Sequence, residues 1–444
     1  MMKQFFYTLA LALLIGACAK DKLANPLDVR LEKQIKAVAP DGTLEHYVLP
    51  ETGDLDALPQ GVGNPLTPQK VALGRFLFFE TGLALDAMKE EGKGTYSCAT
   101  CHVPSAGFMP GRMQGIADGG IGFGDNGESR TKMDTYLETE LDVQEARPLS
   151  LLNVTYVQNT SWSGQFGAHG VNEGTEEVWD LDEVTEINHL GLDGLESQNI
   201  EGLELHRMVV NKEVLDSLGY TSLFDTVFPD FPEEERYTKM TASFAISAYI
   251  RSLVTDRAPF QRWLKGDEQA MTEAEKRGAL VFFSKAGCFR CHKGPALNAV
   301  EFYALGVKDL YDTGGFKTSP FDKRNFGRGG FTQNEEDMYK FKVPQLYNMG
   351  DSPFYFHGSS KRSLREVVEY FNDAIPENDR VPASQIAPQF KPLYLTEQEI
   401  EDLTRFLENG LRDPDLDRYV PKEVPSGNCF PNNDYLSRQD LGCN

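Results

Sequence analysis

Positive charge is scarce in this chain. Its 444 residues carry 44 Lys and Arg against 67 Asp and Glu, a formal net charge of −23 at pH 7. Such a surface repels phosphate backbones, which argues against a nucleic-acid partner. It would attract a basic protein instead. Long apolar runs are also scarce. Only residues 5–17 form one, too short to span a bilayer. Strand-like alternation is missing as well, which leaves a mostly α architecture. Histidine and cysteine are few, seven of each.

Those few are not scattered. Cys98-Ala99-Thr100-Cys101-His102 and Cys288-Phe289-Arg290-Cys291-His292 repeat the Cys-x-x-Cys-His pattern of c-type haem attachment. Two thiols three apart add to the two vinyl groups of one porphyrin, and the following histidine supplies a nitrogen to iron. A four-ligand zinc site would need both cysteine pairs to converge and has no use for a histidine after each. A redox dithiol or a disulfide has no use for it either. Cys98, Cys101, Cys288 and Cys291 are thus candidate thioether anchors for two haems. His102 and His292 are the candidate iron ligands.

The other cysteines fit an exported protein. Lys3 precedes the apolar run, and Ile15-Gly16-Ala17-Cys18 resembles a bacterial lipobox whose cysteine becomes the lipidated first residue. The expectation is a periplasmic or cell-envelope protein anchored through Cys18, with residues 1–18 as signal peptide. Cys429 and Cys443 remain, in a Pro/Asn-rich tail. Closing a loop of about 15 residues there restricts the unfolded chain by about 3 kcal/mol.

An internal repeat supports two haem units. Gly74 to Phe79 precedes the first motif and Gly278 to Phe283 the second, each with glycine first and Phe-Phe last. Helix starts lead both, at Thr67-Pro68 and at the capping box Thr272-x-x-Glu275. Further helices are expected over residues 238–253, 363–371 and 396–411, the last behind the capping box Thr396-x-x-Glu399. The glycine-rich stretch 115–130 reads as a loop. Five segments follow: the signal peptide, a linker or irregular arm at 19–60, a first haem domain at 61–232, a second at 233–415, and a tail at 416–444. The fold expected is mostly α, two c-type cytochrome domains packed together with irregular loops.

With these residues placed, residues 65–412 resemble the bacterial di-haem cytochrome c peroxidases and MauG-like enzymes. The resemblance rests on Pro259-Phe260, Gly266-Asp267 and the second motif through Gly294. It rests also on Phe341-Lys342-Val343-Pro344-Gln345-Leu346-Tyr347-Asn348 with Tyr355-Phe356-His357, and on Leu151 to Val154, Trp162-x-Gly164 and Leu195-Glu196-x-Gln198. It implies an enzyme whose first haem meets hydrogen peroxide and whose second takes electrons from a small cytochrome or cupredoxin. Alternatives are a MauG-like oxidase of a protein or organic substrate, and a di-haem electron carrier. The family also leaves room for a homodimer.

The same resemblance assigns further roles. Trp162 would relay charge between the haems, and Gln198 would orient peroxide. The family's distal glutamate falls on Met208, so Glu204 or His206 would serve as the base. The second haem's sixth ligand falls on Phe371, which has no donor atom; Tyr370, Met349 and a five-coordinate second haem are the alternatives. Arg147 stands near the position of a calcium-binding asparagine, against calcium in that form. No histidine lies between His102 and His169, which suggests an open first iron; His169 is the nearest candidate cap.

Overall fold

The computed structural model describes residues 25–443; Cys18 and the apolar run before it lie outside them. The expectation of a mostly helical chain holds. The helices that organise it are α1 (Pro26–Val38), α2 (Pro68–Phe79), α3 (Gly194–Leu205), α4 (Lys239–Arg251), α5 (Glu273–Phe282), α6 (Leu364–Asp373), α7 (Glu397–Arg405) and α8 (Tyr435–Leu441). The strands among the described residues are two antiparallel pairs of two residues each. β1 (Gly120–Ile121) pairs with β2 (Thr131–Lys132), and β3 (Phe302–Tyr303) with β4 (Phe341–Lys342). No helix among the described residues is long and apolar enough to cross a membrane.

The start signals work as read. Thr67 accepts from Lys70 N ahead of Pro68. Thr272 with Glu275, and Thr396 with Glu399, close reciprocal capping boxes. α7 continues as a π turn, Phe406–Gly410.

The repeated glycines have one physical purpose. A Cβ on Gly74 of α2 would lie 1.8 Å from Ala245 O on α4, and one on Gly278 of α5 would lie 2.0 Å from Asp402 O on α7. Each motif helix therefore crosses a partner helix backbone-to-backbone, a contact only glycine permits. The repeat is thus structural: one glycine-notched helix pair beside each motif.

Two main cores follow from these pairs. The first gathers Leu73, Leu77, Phe78 and Phe79 of α2 with Leu195 and Leu203 of α3 and Ala245, Ile246 and Tyr249 of α4. The second gathers Phe282 of α5 with Phe260, Leu403 and Phe406. The expected domain boundary at residue 232 precedes α4, but α4 packs with the first core. Side chains change core between Leu253 and Ala258.

Each end of the described chain is fastened to the opposite half. Within the stretch 19–60, read from sequence as a linker or irregular arm, α1 lays Leu31 and Ile35 into the second core. Its Asp28 accepts from Trp263 Nε1 at 2.7 Å and pairs with Lys276 at 2.6 Å, all buried. The tail runs back to the first half. Tyr419 and Val424 join the first core. Pro431 O accepts from Ser97 Oγ at 2.9 Å and Thr100 Oγ1 at 3.2 Å, beside the first motif. Asp434, on the residue before α8, pairs with buried Arg130 at 3.1 Å. Cys429 and Cys443 form a disulfide in this tail.

Candidate di-haem centre

Both Cys-x-x-Cys-His motifs form a single 3₁₀ turn, Cys98–Thr100 and Cys288–Arg290; the second follows its glycine-notched helix closely, whereas a longer irregular stretch joins α2 to the first. The turns bring the four thiols and two imidazoles onto the walls of one cavity of about 1140 Å³. That exceeds the roughly 300–1,000 Å³ usual for one small-molecule site. None of the four cysteines is in a disulfide. Burial pushes the thiols of Cys98, Cys101 and Cys288 up to about 12 and raises that of Cys291. Among the described residues no three His, Cys, Asp or Glu gather as a metal cluster would require.

The histidines are prepared alike. His102 Nδ1 lies 3.0 Å from Phe108 O, and His292 Nδ1 lies 2.8 Å from Leu297 O. A carbonyl only accepts, so each Nδ1 carries the proton and each Nε2 keeps its lone pair. This carbonyl partner is how proteins orient a metal-bound imidazole. Burial holds both rings down to about 4, in the neutral form a ligand requires.

The cavity's charge also suits porphyrin. Nine Lys and Arg line it, but only two acidic residues, Asp142 and Glu145. In a chain of net charge −23 this inversion marks a place for anions. Two of the cations are buried without a carboxylate. Lys342 Nζ donates to Asn159 O at 2.7 Å, and burial pushes its pKa down to about 7. Arg147 donates to Arg112 O, Pro110 O and Ser352 Oγ at 2.6, 3.0 and 2.7 Å, and burial pushes it down to about 9. Each porphyrin would bring carboxylates of its own, and these buried cations are the residues that would hold them. Arg147, near the calcium position of the resemblance, thus spends its charge on oxygens a cation would seek.

Trp162 also lines the cavity. Its Nε1 donates to Arg147 O at 2.6 Å, and its ring meets Phe341 and His357 edge-on at 6.3 and 6.2 Å. Phe341 and His357 stack at 3.6 Å. The indole is held in place from several sides.

The distal candidates separate. Gln198 lines the cavity, and its amide makes no hydrogen bond among the described residues. His206, just past the end of α3, lines it too. Its Nδ1 bonds both oxygens of Asp142, at 2.9 and 3.1 Å, and Tyr96 donates to its carbonyl at 2.9 Å. Glu204 does not reach the cavity. Its side chain is 70 % exposed and pairs with Lys239, because one helical step turns it to the outer face of α3. Met208, at the family's glutamate position, is buried in the cavity wall.

The sixth-ligand candidates separate as well. Phe371 faces the cavity. Tyr370 is turned out of it. Its hydroxyl donates to Leu305 O at 2.8 Å, and its ring packs on Phe390 in a separate small cluster. Met349 lines the cavity. His169 does not; its Nε2 is 3.0 Å from Gly191 O. Asp142 escaped notice in the sequence. It lies 64 residues before His206 with no motif around it, and only the fold joins them.

Comparison with known proteins agrees with this centre. Residues 68–269 match the family model described as di-haem cytochrome c peroxidase. The chain is 28 % identical to cytochrome-c peroxidase IdrP1 of Denitromonas iodatirespirans, over 81 % of this chain and 86 % of that protein. It is likewise 28 % identical to the methylamine utilization protein MauG of Methylorubrum extorquens, over 81 % of this chain and 83 % of that one. A crystal structure of a MauG-like protein associated with microbial copper homeostasis shares the fold. The TM-score is 0.56 at 22 % identity, covering 83 % of this chain and 95 % of that one. The motif turns, the carbonyl-held imidazoles and these likenesses agree: the chain is an oxidoreductase with two covalently bound c-type haems, similar over most of its length to the di-haem cytochrome c peroxidases and MauG proteins.

Proposed function

We propose that this protein reduces hydrogen peroxide to water with electrons from a small redox protein. The observation that carries the reading is the His206–Asp142 pair on the wall of the cavity that also holds His102. Haem iron held by His102 supplies the site that binds peroxide and the electrons that break its O–O bond. The chain's own task is the proton. One proton must leave the inner peroxide oxygen and return on the outer one, and His206 Nε2, the ring nitrogen that Asp142 leaves free, carries it. Asp142 holds Nδ1 and fixes the ring. The unpartnered Gln198 amide orients peroxide by hydrogen bonding. Trp162, pinned by Arg147 O, connects the two haem sites, and Met349 is the side chain offered to the second iron.

The same centre would serve a MauG-like oxidase, whose electrons come from a protein or organic substrate. The sequence feature that favours this second reading is the histidine-free stretch from 103 to 168. A carrier without peroxide chemistry has no use for an acid–base pair beside the first haem. The experiment is stopped-flow mixing of the fully ferric protein with peroxide, then with reduced cytochrome. With no histidine cap, the Soret band should change at once and cyanide should bind readily. Re-oxidation of the cytochrome then marks a peroxidase; a Soret response without cytochrome turnover marks the oxidase. A wholly low-spin ferric protein, inert until half-reduced, would overturn the open site.

Lipid anchoring in the cell envelope through Cys18 belongs to this proposal. Wild-type protein should partition with membranes and Cys18→Ser should not. Wild-type protein that stays wholly soluble would remove the anchor.

A further inference from the structure

One redox-capable side chain beside the second motif has no part in the chemistry above. Tyr303 ends β3 and pairs across the ladder with Phe341 of β4. Phe341 in turn meets Trp162. The Tyr303 ring lines the cavity, and its hydroxyl lies against the sulfur of Cys291, an atom that ties down the second porphyrin's edge. The same hydroxyl donates to Glu301 Oε2 at 2.8 Å. The Glu301 side chain is 36 % exposed and pairs with Lys293. A phenol is therefore held between a haem-bearing sulfur and a carboxylate at the surface.

That placement matters because a phenol gives up an electron readily only if its proton leaves with it. Glu301 is a ready acceptor. Burial raises its pKa, but the bonds from Lys293 and Tyr303 outweigh this and hold it below the ordinary carboxylate value. Across the ladder, the aromatic contact through Phe341 leads back to Trp162.

We propose that Tyr303 is a redox-active exit from the second haem. One electron passes from the phenol to the oxidised second haem while the phenolic proton passes to Glu301. The phenoxyl radical is then restored by one electron from an outside donor at this surface, and Glu301 returns the proton. The oxidising equivalents come from hydrogen peroxide, which takes two electrons and two protons to become two waters. The proposal therefore rests on the peroxide reading.

The test freezes the holoprotein shortly after mixing with stoichiometric peroxide in the absence of donor, and records electron paramagnetic resonance. Wild type should show a tyrosyl radical, and Tyr303→Phe should lose it while keeping both haems and the same Soret change. Glu301→Gln should form the radical about 10²-fold more slowly, the lower end of what a positioned proton acceptor is worth. An undiminished radical in Tyr303→Phe would overturn the proposal. So would its absence from wild type whose Soret band responds. A Soret band silent to peroxide would instead strike the peroxide reading. Photogenerated ruthenium(III) tris-bipyridine then replaces peroxide as the oxidant, and the same comparison of wild type with Tyr303→Phe decides.

Discussion

His206 and Glu204 lie two positions apart on one short stretch, and the fold gives them opposite fates. His206 faces the cavity with Asp142 behind it, whereas Glu204 faces solvent. His206→Ala should therefore slow peroxide cleavage by about 10² to 10⁴, while Glu204→Gln stays near wild type. The pH profile carries the same assignment. Burial lowers the His206 pKa, but the Asp142 carboxylate outweighs it, and the net value lies above 6.5. Arg207 pulls it down and Glu145 pulls it up, while His102 and His206 disfavour each other's charge. A base works unprotonated, so the rate should rise with pH through an inflection above 6.5. Asp142→Asn should move that inflection down. The sign for stability is opposite: the ion pair contributes fully below the unfolded pKa and is lost as pH rises through the folded one. The second haem offers a parallel contrast. Met349→Leu should turn it from low-spin to high-spin. Tyr370→Phe should leave its spectrum unchanged and cost about 1 kcal/mol for the lost bond to Leu305 O. The sequence carried the anchors and iron ligands because attachment chemistry forces adjacency. It could not carry Asp142, Lys342 or the fate of Glu204, because those depend on which side of a turn faces inward.

At the scale of elements, legibility followed local chemistry. Thr67-Pro68 and the two capping boxes announce helix starts within four residues, and all three hold. α1 carries a similar signal, Asn25 before Pro26 with Leu27, Leu31 and Ile35 on one face. The polar stretch around it, which belongs to no motif, masks that signal. The domain boundary at 232 followed a Pro/Glu-rich turn, a fair local sign of a linker. Gly74 overrides it, because the notch in α2 only makes sense with α4 lying across it. Gly278→Ala should push a methyl into Asp402 O and cost about 1–3 kcal/mol, as overpacked cores do. Thermal melting of the holoprotein measures this. A Tm unchanged by the substitution would mean that the helices part without strain.

On the scale of the whole molecule, charge and connectivity are the features that composition hides. The cation-lined cavity is invisible in a net charge of −23, since its members come from both halves of the chain. The crossing of the termini is equally hidden, and it bears on how the protein comes into being. A chain grows from its amino terminus, so Cys98 to His102 exist long before the tail. Pro431, which receives the hydroxyls of Ser97 and Thr100, is made 331 residues after Thr100. Tyr419 and Val424, which complete the first core, come nearly as late. The walls around the first haem site therefore cannot shut before the tail is made, and an attachment reaction acting on the growing chain would meet that motif open and unlatched. Residues made long after the first motif are the ones that close the door on the first haem.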